Sequence, residues 1–122
     1  MTQSFKEVIA WQKAHEFVIL VYKITQQYPP SEKFGLCSQF QRAAVSVPAN
    51  IAEGYRRDGM GDKLRFLNIA QGSLEECRYY IILSRDLGYI NLETYENMNV
   101  VIEEASRLLN AYYKGIKNRN IL

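Results

Sequence analysis

Apolar residues recur three and four positions apart through four stretches of the chain, the spacing that lines one face of a helix. The first stretch carries Trp11, Ala14, Phe17, Val18, Val21, Tyr22 and Tyr28. Ser4 and Glu7 stand before it in capping-box spacing. Pro29 and Pro30 stop it, because the first proline forces Tyr28 out of helical geometry. Ser31 is the expected N-cap of a second helix with Cys37, Phe40, Ala44, Val47, Ile51 and Tyr55 on its apolar stripe. Gly54 and the run Asp58-Gly59-Met60-Gly61 are expected to end that helix. Asp62 then caps a third, long helix carrying Leu64, Leu67, Ala70, Leu74, Cys77, Ile81 and Ser84. Gly88 closes it, with Ile90 placed for the hydrophobic contact of a glycine C-cap. Asn91 caps a fourth helix whose face is Tyr95, Met98, Ile102, Ala105, Leu109, Tyr112 and Ile116. Its early Glu93 and Glu96 and its late Lys114 and Lys117 suit the helix dipole.

No strand pattern competes, and short breaks between helices favour antiparallel neighbours. The expected fold is therefore all-α, an antiparallel up-down-up-down four-helix bundle forming a single domain over residues 1–122. With 3 prolines and 7 glycines the chain is poor in the turns that a β-sandwich or barrel needs.

The segment from Ser46 to Arg57 breaks the pattern of an ordinary helix. Pro48 removes one backbone hydrogen bond and costs a helix interior about 3 kcal/mol. The apolar stripe nevertheless passes through it without a change of phase, which predicts a kinked helix rather than a break. Along the same helix Gln39, Arg42, Ser46, Asn50, Glu53 and Arg57 form a polar stripe. That stripe is either a solvated face or a hydrogen-bonding seam to a neighbouring helix or subunit. The short side chains of Ser46, Ala49 and Asn50 favour the seam, with Asn50 or Glu53 bonded across it. Gly72, mid-helix beside Ser73, is read as a point of close helix–helix approach.

Catalytic chemistry finds little to work with. The one histidine, His15, has Gln12 three residues before it, which excludes the paired Glu-x-x-His motifs of a di-iron bundle. Ser73 has no histidine base to activate it, and no strand leads into Gly72-Ser73 as a nucleophile elbow requires. Glu53, Glu75 and Glu76 read as ion-paired or solvated carboxylates. No enzyme, cofactor or metal is expected. Cys37 and Cys77 lie on apolar faces, as reduced thiols of a cytoplasmic protein would. Residues 1–9 lack the pattern of a secretory leader, and no apolar run reaches the ~20 residues of a membrane span, so no membrane partner is expected.

A formal charge of +2 is mild, but the bases are not spread evenly. Arg56, Arg57, Lys63 and Arg65 cluster around the second break, and Lys114, Lys117 and Arg119 gather near the end of the sequence. Either group could contact phosphates. The helices also carry apolar surplus beyond one stripe each: Ile9, Ile19, Leu20 and Ile24 in the first, Phe66, Ile69, Tyr80 and Leu83 in the third. With 9 tyrosines in the chain, this surplus points to broad core faces or to self-association, of which self-association is favoured.

Several motifs together resemble a known family. They are Ala10-Trp11-Gln12-Lys13-Ala14, Tyr28-Pro29 with Gly35-Leu36, Gln39 with Arg42-Ala43-Ala44, the run Ser46 to Gly54, Ala70 with Gly72-Ser73-Leu74-Glu75-Glu76, and Leu87-Gly88-Tyr89-Ile90. Over residues 5–90 the chain resembles the four-helix-bundle proteins encoded by intervening sequences in bacterial 23S ribosomal RNA genes; the fourth helix is similar in pattern alone. The resemblance implies a cyclic homo-oligomer, typically a pentamer, with no assigned enzymatic activity. A related group is the accessory variability determinant proteins of diversity-generating retroelements, basic barrels that bind RNA and work with a reverse transcriptase. The resulting expectation is a non-enzymatic oligomer associated with RNA or with a nucleic-acid-processing protein, Arg56, Arg57, Lys63 and Arg65 making the contacts. Arg42, Ser46, Pro48, Asn50, Glu53, Gly54, Gly72 and Ser73 would be its structural or interface motif. The alternative is a protein-interaction scaffold without nucleic-acid binding.

Overall fold

A computed structural model describes residues 4–119 of the chain. Four helices, α1 (Ile9–Thr25), α2 (Leu36–Arg56), α3 (Met60–Asp86) and α4 (Leu92–Arg119), account for nearly all of them, and no strand occurs among the described residues. Each helix packs on two neighbours: α1 on α2 and α4, and α3 on α2 and α4. Cross-helix bonds fix an antiparallel register. Gln39 faces Tyr80 and Ser46 faces Ser73 between α2 and α3, while Gln71 faces Asn110 and Arg78 faces Glu103 between α3 and α4. The all-α, up-down-up-down bundle is thus as the periodicity predicts.

The core is the set of residues the apolar stripes select. Phe17, Phe40, Ile51, Leu67, Leu74, Ile81, Met98, Ile102 and Leu109 are fully buried, so every helix contributes. Each such side chain stabilises the fold by about 1.5–3 kcal/mol relative to an exposed one. Cys77 lies in this core as a free thiol, and burial pushes its pKa up to about 12.

Helix ends differ more from expectation. Ser4 accepts a bond from the Lys6 N–H and caps a separate 3-10 turn, Phe5–Glu7. Extended backbone at Val8 then intervenes before α1 begins. At its other end α1 stops at Thr25, short of the prolines. Tyr28 is buried all the same, its hydroxyl donating to Ser84 Oγ at 2.6 Å. Ser31 is not the cap of α2; it sits within a second 3-10 turn, Pro30–Glu32, where the proline pair has already fixed the backbone. Glu32 fulfils the capping role instead, accepting from the Leu36 N–H at 3.2 Å and from the Tyr89 hydroxyl at 2.7 Å. Those two bonds hold its carboxyl below the usual range. Gly59 precedes α3, so Asp62 lies in the first turn, where its charge still suits the dipole. Gly88 and Asn91 act as expected. Gly88 adopts φ 77°, with its N–H on Arg85 O and the Tyr89 N–H on Ser84 O. Asn91 Oδ1 accepts from the Thr94 N–H at 2.8 Å.

Two glycines depart from their expected parts. Gly54 does not terminate α2; it is buried inside it, at the closest approach to α3. A Cβ there would stand 3.2 Å from Lys63 O and 3.3 Å from Phe66 Cβ. Gly72, expected at such a contact, has nothing within 4 Å of a Cβ position. Alanine should therefore act oppositely at the two sites. Gly72→Ala is expected to raise stability by up to about 1 kcal/mol through helix propensity. Gly54→Ala is expected to lower it by about 1 kcal/mol, because overpacking outweighs that gain. Urea-unfolding midpoints check both signs.

Candidate nucleic-acid interface

Antiparallel alternation brings the two basic groups of the sequence together. The carboxyl end of α2, the amino end of α3 and the carboxyl end of α4 meet at one pole of the bundle, beside the residues preceding α1. The register between α3 and α4 sets Lys63 level with Lys117 and Arg119. Burial raises the Tyr112 phenol above its ordinary range, with the Arg119 charge opposing and Tyr55 adding to the rise, so the last turns of α4 reach Tyr55 of α2. Among the described residues this pole carries Lys6, Arg56, Arg57, Lys63, Arg65, Lys114, Lys117 and Arg119 against Glu7, Glu53, Asp58 and Asp62. Eight bases against four acids leave a formal surplus of four, twice the +2 of the whole chain. The other regions are consequently net acidic.

The four bases expected to contact phosphate are each partly engaged. Lys63 Nζ donates to Tyr55 O at 2.8 Å and Gly54 O at 3.3 Å, placing a cation on the negative end of α2. Arg57 pairs with Glu53 at 3.0 Å and lies 4.7 Å from the Phe66 ring centroid. Its Nε is buried and without a hydrogen-bond partner. Arg65 stacks on the same ring at 4.6 Å and approaches Asp62 at 3.7 Å. Arg56 and Asp58 form a fully exposed pair at 3.8 Å, which contributes little. Lys114, Lys117 and Arg119 make no ion pair among the described residues.

Along α2 and α3 the polar stripe forms a seam, but not through the residues expected to bridge it. α2 continues through the buried Pro48. Asn50 turns back on its own helix, donating to Ser46 O at 2.7 Å and Ser46 Oγ at 2.9 Å. Asn50 and Ser46 are one turn apart on the same face, so the short amide meets Ser46 before it can reach α3. Glu53 is likewise occupied within α2, by Arg57. The bond that crosses is Ser73 Oγ to Ser46 Oγ, 2.8 Å. Further along, the Tyr80 hydroxyl donates to Gln39 Oε1 at 3.2 Å and approaches Glu76 Oε2 at 3.4 Å. Arg42 borders the 370 Å³ hollow between them and has no polar partner among the described residues. The family motif includes both Ser46 and Ser73, but nothing in the sequence says that the two meet. Only the register reveals its role.

On the far side of α3 a wider groove of about 920 Å³ runs between α3 and α4, lined by Asn68, Gln71, Gly72, Arg78, Arg107, Asn110 and Lys114 among others. Of the expected apolar surplus, Ile9, Ile19 and Ile69 are exposed, while Leu20, Ile24, Phe66, Tyr80 and Leu83 are half-buried. Phe34, which the periodicity passed over, is 87% exposed. His15 is exposed and stacks on Trp11 at 5.1 Å. No helix among the described residues is long and apolar enough to cross a membrane.

Residues 6–111 match the family described as 23S rRNA-intervening sequence protein. The chain belongs to that family. The match extends through most of α4, further than the motifs of residues 5–90 alone reach. The fold is also similar to the crystal structure of a protein of unknown function from the S23 ribosomal protein family of Bacteroides thetaiotaomicron. The TM-score is 0.78 at 28% identity, covering 87% of this chain and 96% of that one. No curated protein matches. Within this family fold, the Ser46–Ser73 bond is expected to act as a unit. Ser73→Ala should cost about 1 kcal/mol, and Ser46→Ala about 1–3 kcal/mol because it strands the Ser73 hydroxyl and removes one of the two bonds of the Asn50 amide. The double variant should cost less than their sum, as a double-mutant cycle of unfolding free energies will show. Strict additivity would mean the bond contributes nothing.

Proposed function

We propose that this protein is a non-enzymatic, homo-oligomeric bundle that associates with RNA in the cytoplasm. The observation that carries the reading is the charge polarity, with eight of the fifteen bases at one pole opposed by four acids. A mild net charge thereby becomes a focused one, and focused charge governs attraction to a phosphate backbone. Membership of a family named for intervening sequences of 23S rRNA supports the same partner class. Self-association is supported by Ile9 and Ile19 on α1, Ile69 on α3, and Phe34, all exposed on one small chain. A closed head-to-tail ring would bury two such different patches against each other. Five copies in a ring would set about +20 of formal charge on one rim. Kinship with retroelement accessory proteins would add a reverse transcriptase, a nucleic-acid-processing protein, as partner.

A scaffold without nucleic-acid binding is the second reading. It is favoured by the carbonyls and carboxylates already engaging Arg56, Arg57, Lys63 and Arg65. In the RNA reading the contacts to phosphate fall chiefly to Lys114, Lys117 and Arg119, which have no such partners among the described residues. Fluorescence anisotropy with a structured RNA separates the two. The affinity is expected to fall by at least tenfold from about 50 to about 200 mM salt. Replacing Lys114, Lys117 and Arg119 with glutamine should flatten that dependence. No binding at the lower salt would leave the scaffold. Light scattering at micromolar concentration is expected to give a multiple of 14.2 kDa, and a monomer at that mass would remove the ring.

A further inference from the structure

We infer that the groove between α3 and α4 is a track for single-stranded RNA; the inference rests on the RNA reading and specifies which surface holds the strand. The groove is polar and, at about 920 Å³, more than twice the volume of the α2–α3 hollow at 370 Å³. Its width comes from small residues, Gly72 on one wall and Ser106 and Ala111 on the other. Gly72 is the informative member. A glycine inside a helix costs about 1 kcal/mol relative to alanine, and no contact among the described residues requires one here, since a Cβ would meet nothing within 4 Å; Gly61 and Gly115 are equally open but do not line the groove. Space is kept open at a position where any side chain would narrow the groove.

The charges suit a polyanion. Arg78 binds both carboxylates of the lining, Glu75 and Glu103, and offsets one of their two charges, so that with Arg107 and Lys114 the lining carries a formal +1. Arg107 and Lys114 are left without an acidic partner among the described residues. Lys114 also belongs to the basic pole, so the groove opens onto the region of highest positive charge. Gln71 and Asn110 bond to each other at 2.7 Å across it, and each amide retains donor or acceptor capacity toward a base edge. The walls extend over residues 68–78 and 103–114, about 16 Å of helix. That is the length of about four stacked nucleotides of one strand. Neighbouring helices packed about 8–10 Å apart leave a furrow too narrow for a duplex.

Gly72→Phe tests this directly, because it fills the groove from a position that touches neither the core nor a charge. Anisotropy titrations would use a labelled single-stranded RNA oligonucleotide of mixed sequence, and the same sequence as a duplex. The expected results are tighter binding of the single strand and at least tenfold weaker binding by Gly72→Phe, with the unfolding midpoint not lowered and the particle mass unchanged. Arg107→Gln and Lys114→Gln should each lower the salt slope by about one. Undiminished binding by Gly72→Phe, or a preference for the duplex, overturns the groove while leaving RNA association intact. A change in particle mass would make the groove a subunit contact and also overturn it. Absence of binding by the parent protein at low salt defeats the RNA reading itself.

Discussion

The close approach of α2 and α3 at Gly54 sets the geometry on which the other elements depend. With no side chain at residue 54, the two helices pack with Lys63 O and Phe66 Cβ inside the radius a Cβ would need. The turn between them is only residues 57–59, so this contact fixes the hairpin at its base. Lys63 reinforces it by donating to two of the last carbonyls of α2, Tyr55 O and Gly54 O, the latter also accepting from the Arg57 N–H. From that anchor the register carries Ser46 to Ser73 and Gln39 to Tyr80, the whole length of the seam. α1 and α4 then close the bundle around the side chains that α2 and α3 leave facing inward.

The same anchor creates the charge polarity. A tight α2–α3 turn makes the carboxyl end of α2 and the amino end of α3 share a pole, and antiparallel packing adds the carboxyl end of α4. Bases late in a helix are favoured by its dipole, which accounts for Arg56, Lys117 and Arg119 locally. Two helices ending at one pole therefore accumulate positive charge there through ordinary helix chemistry. Self-repulsion is limited by Glu53, Asp58 and Asp62 and by the Phe66 ring, which receives both Arg57 and Arg65. Lys114, Lys117 and Arg119 have no ion-pair partner among the described residues.

Most of the fold was legible in the sequence because periodicity reports burial directly. Nearly every stripe residue of α2, α3 and α4 is buried, and Gly88 and Asn91 punctuate the chain as their backbone chemistry demands. Helix starts were read less well. Ser31 and Asp62 are chemically sound caps, but proline at residue 30 and Gly59 decide where α2 and α3 begin. Gly54 and Gly72 depart from expectation for a related reason. Glycine spacing says that a side chain is unwelcome, while only the register says whether a helix or open space lies opposite. Asn50 and Glu53 lie on the polar stripe as expected, yet i,i+4 partners within α2 capture both. The meeting of the two basic groups is likewise a product of topology, since about fifty residues of sequence separate them.

Backbone amide chemical-shift mapping during titration with RNA tests the polarity most directly, because it reports every residue in one experiment. Shift changes are expected to gather at residues 56–65 and 112–119 and along the α3–α4 groove, with the opposite pole around Pro30–Glu32 and Asn91 silent. Changes centred on that opposite pole, or spread evenly over the bundle, would contradict a functional role for the focused charge.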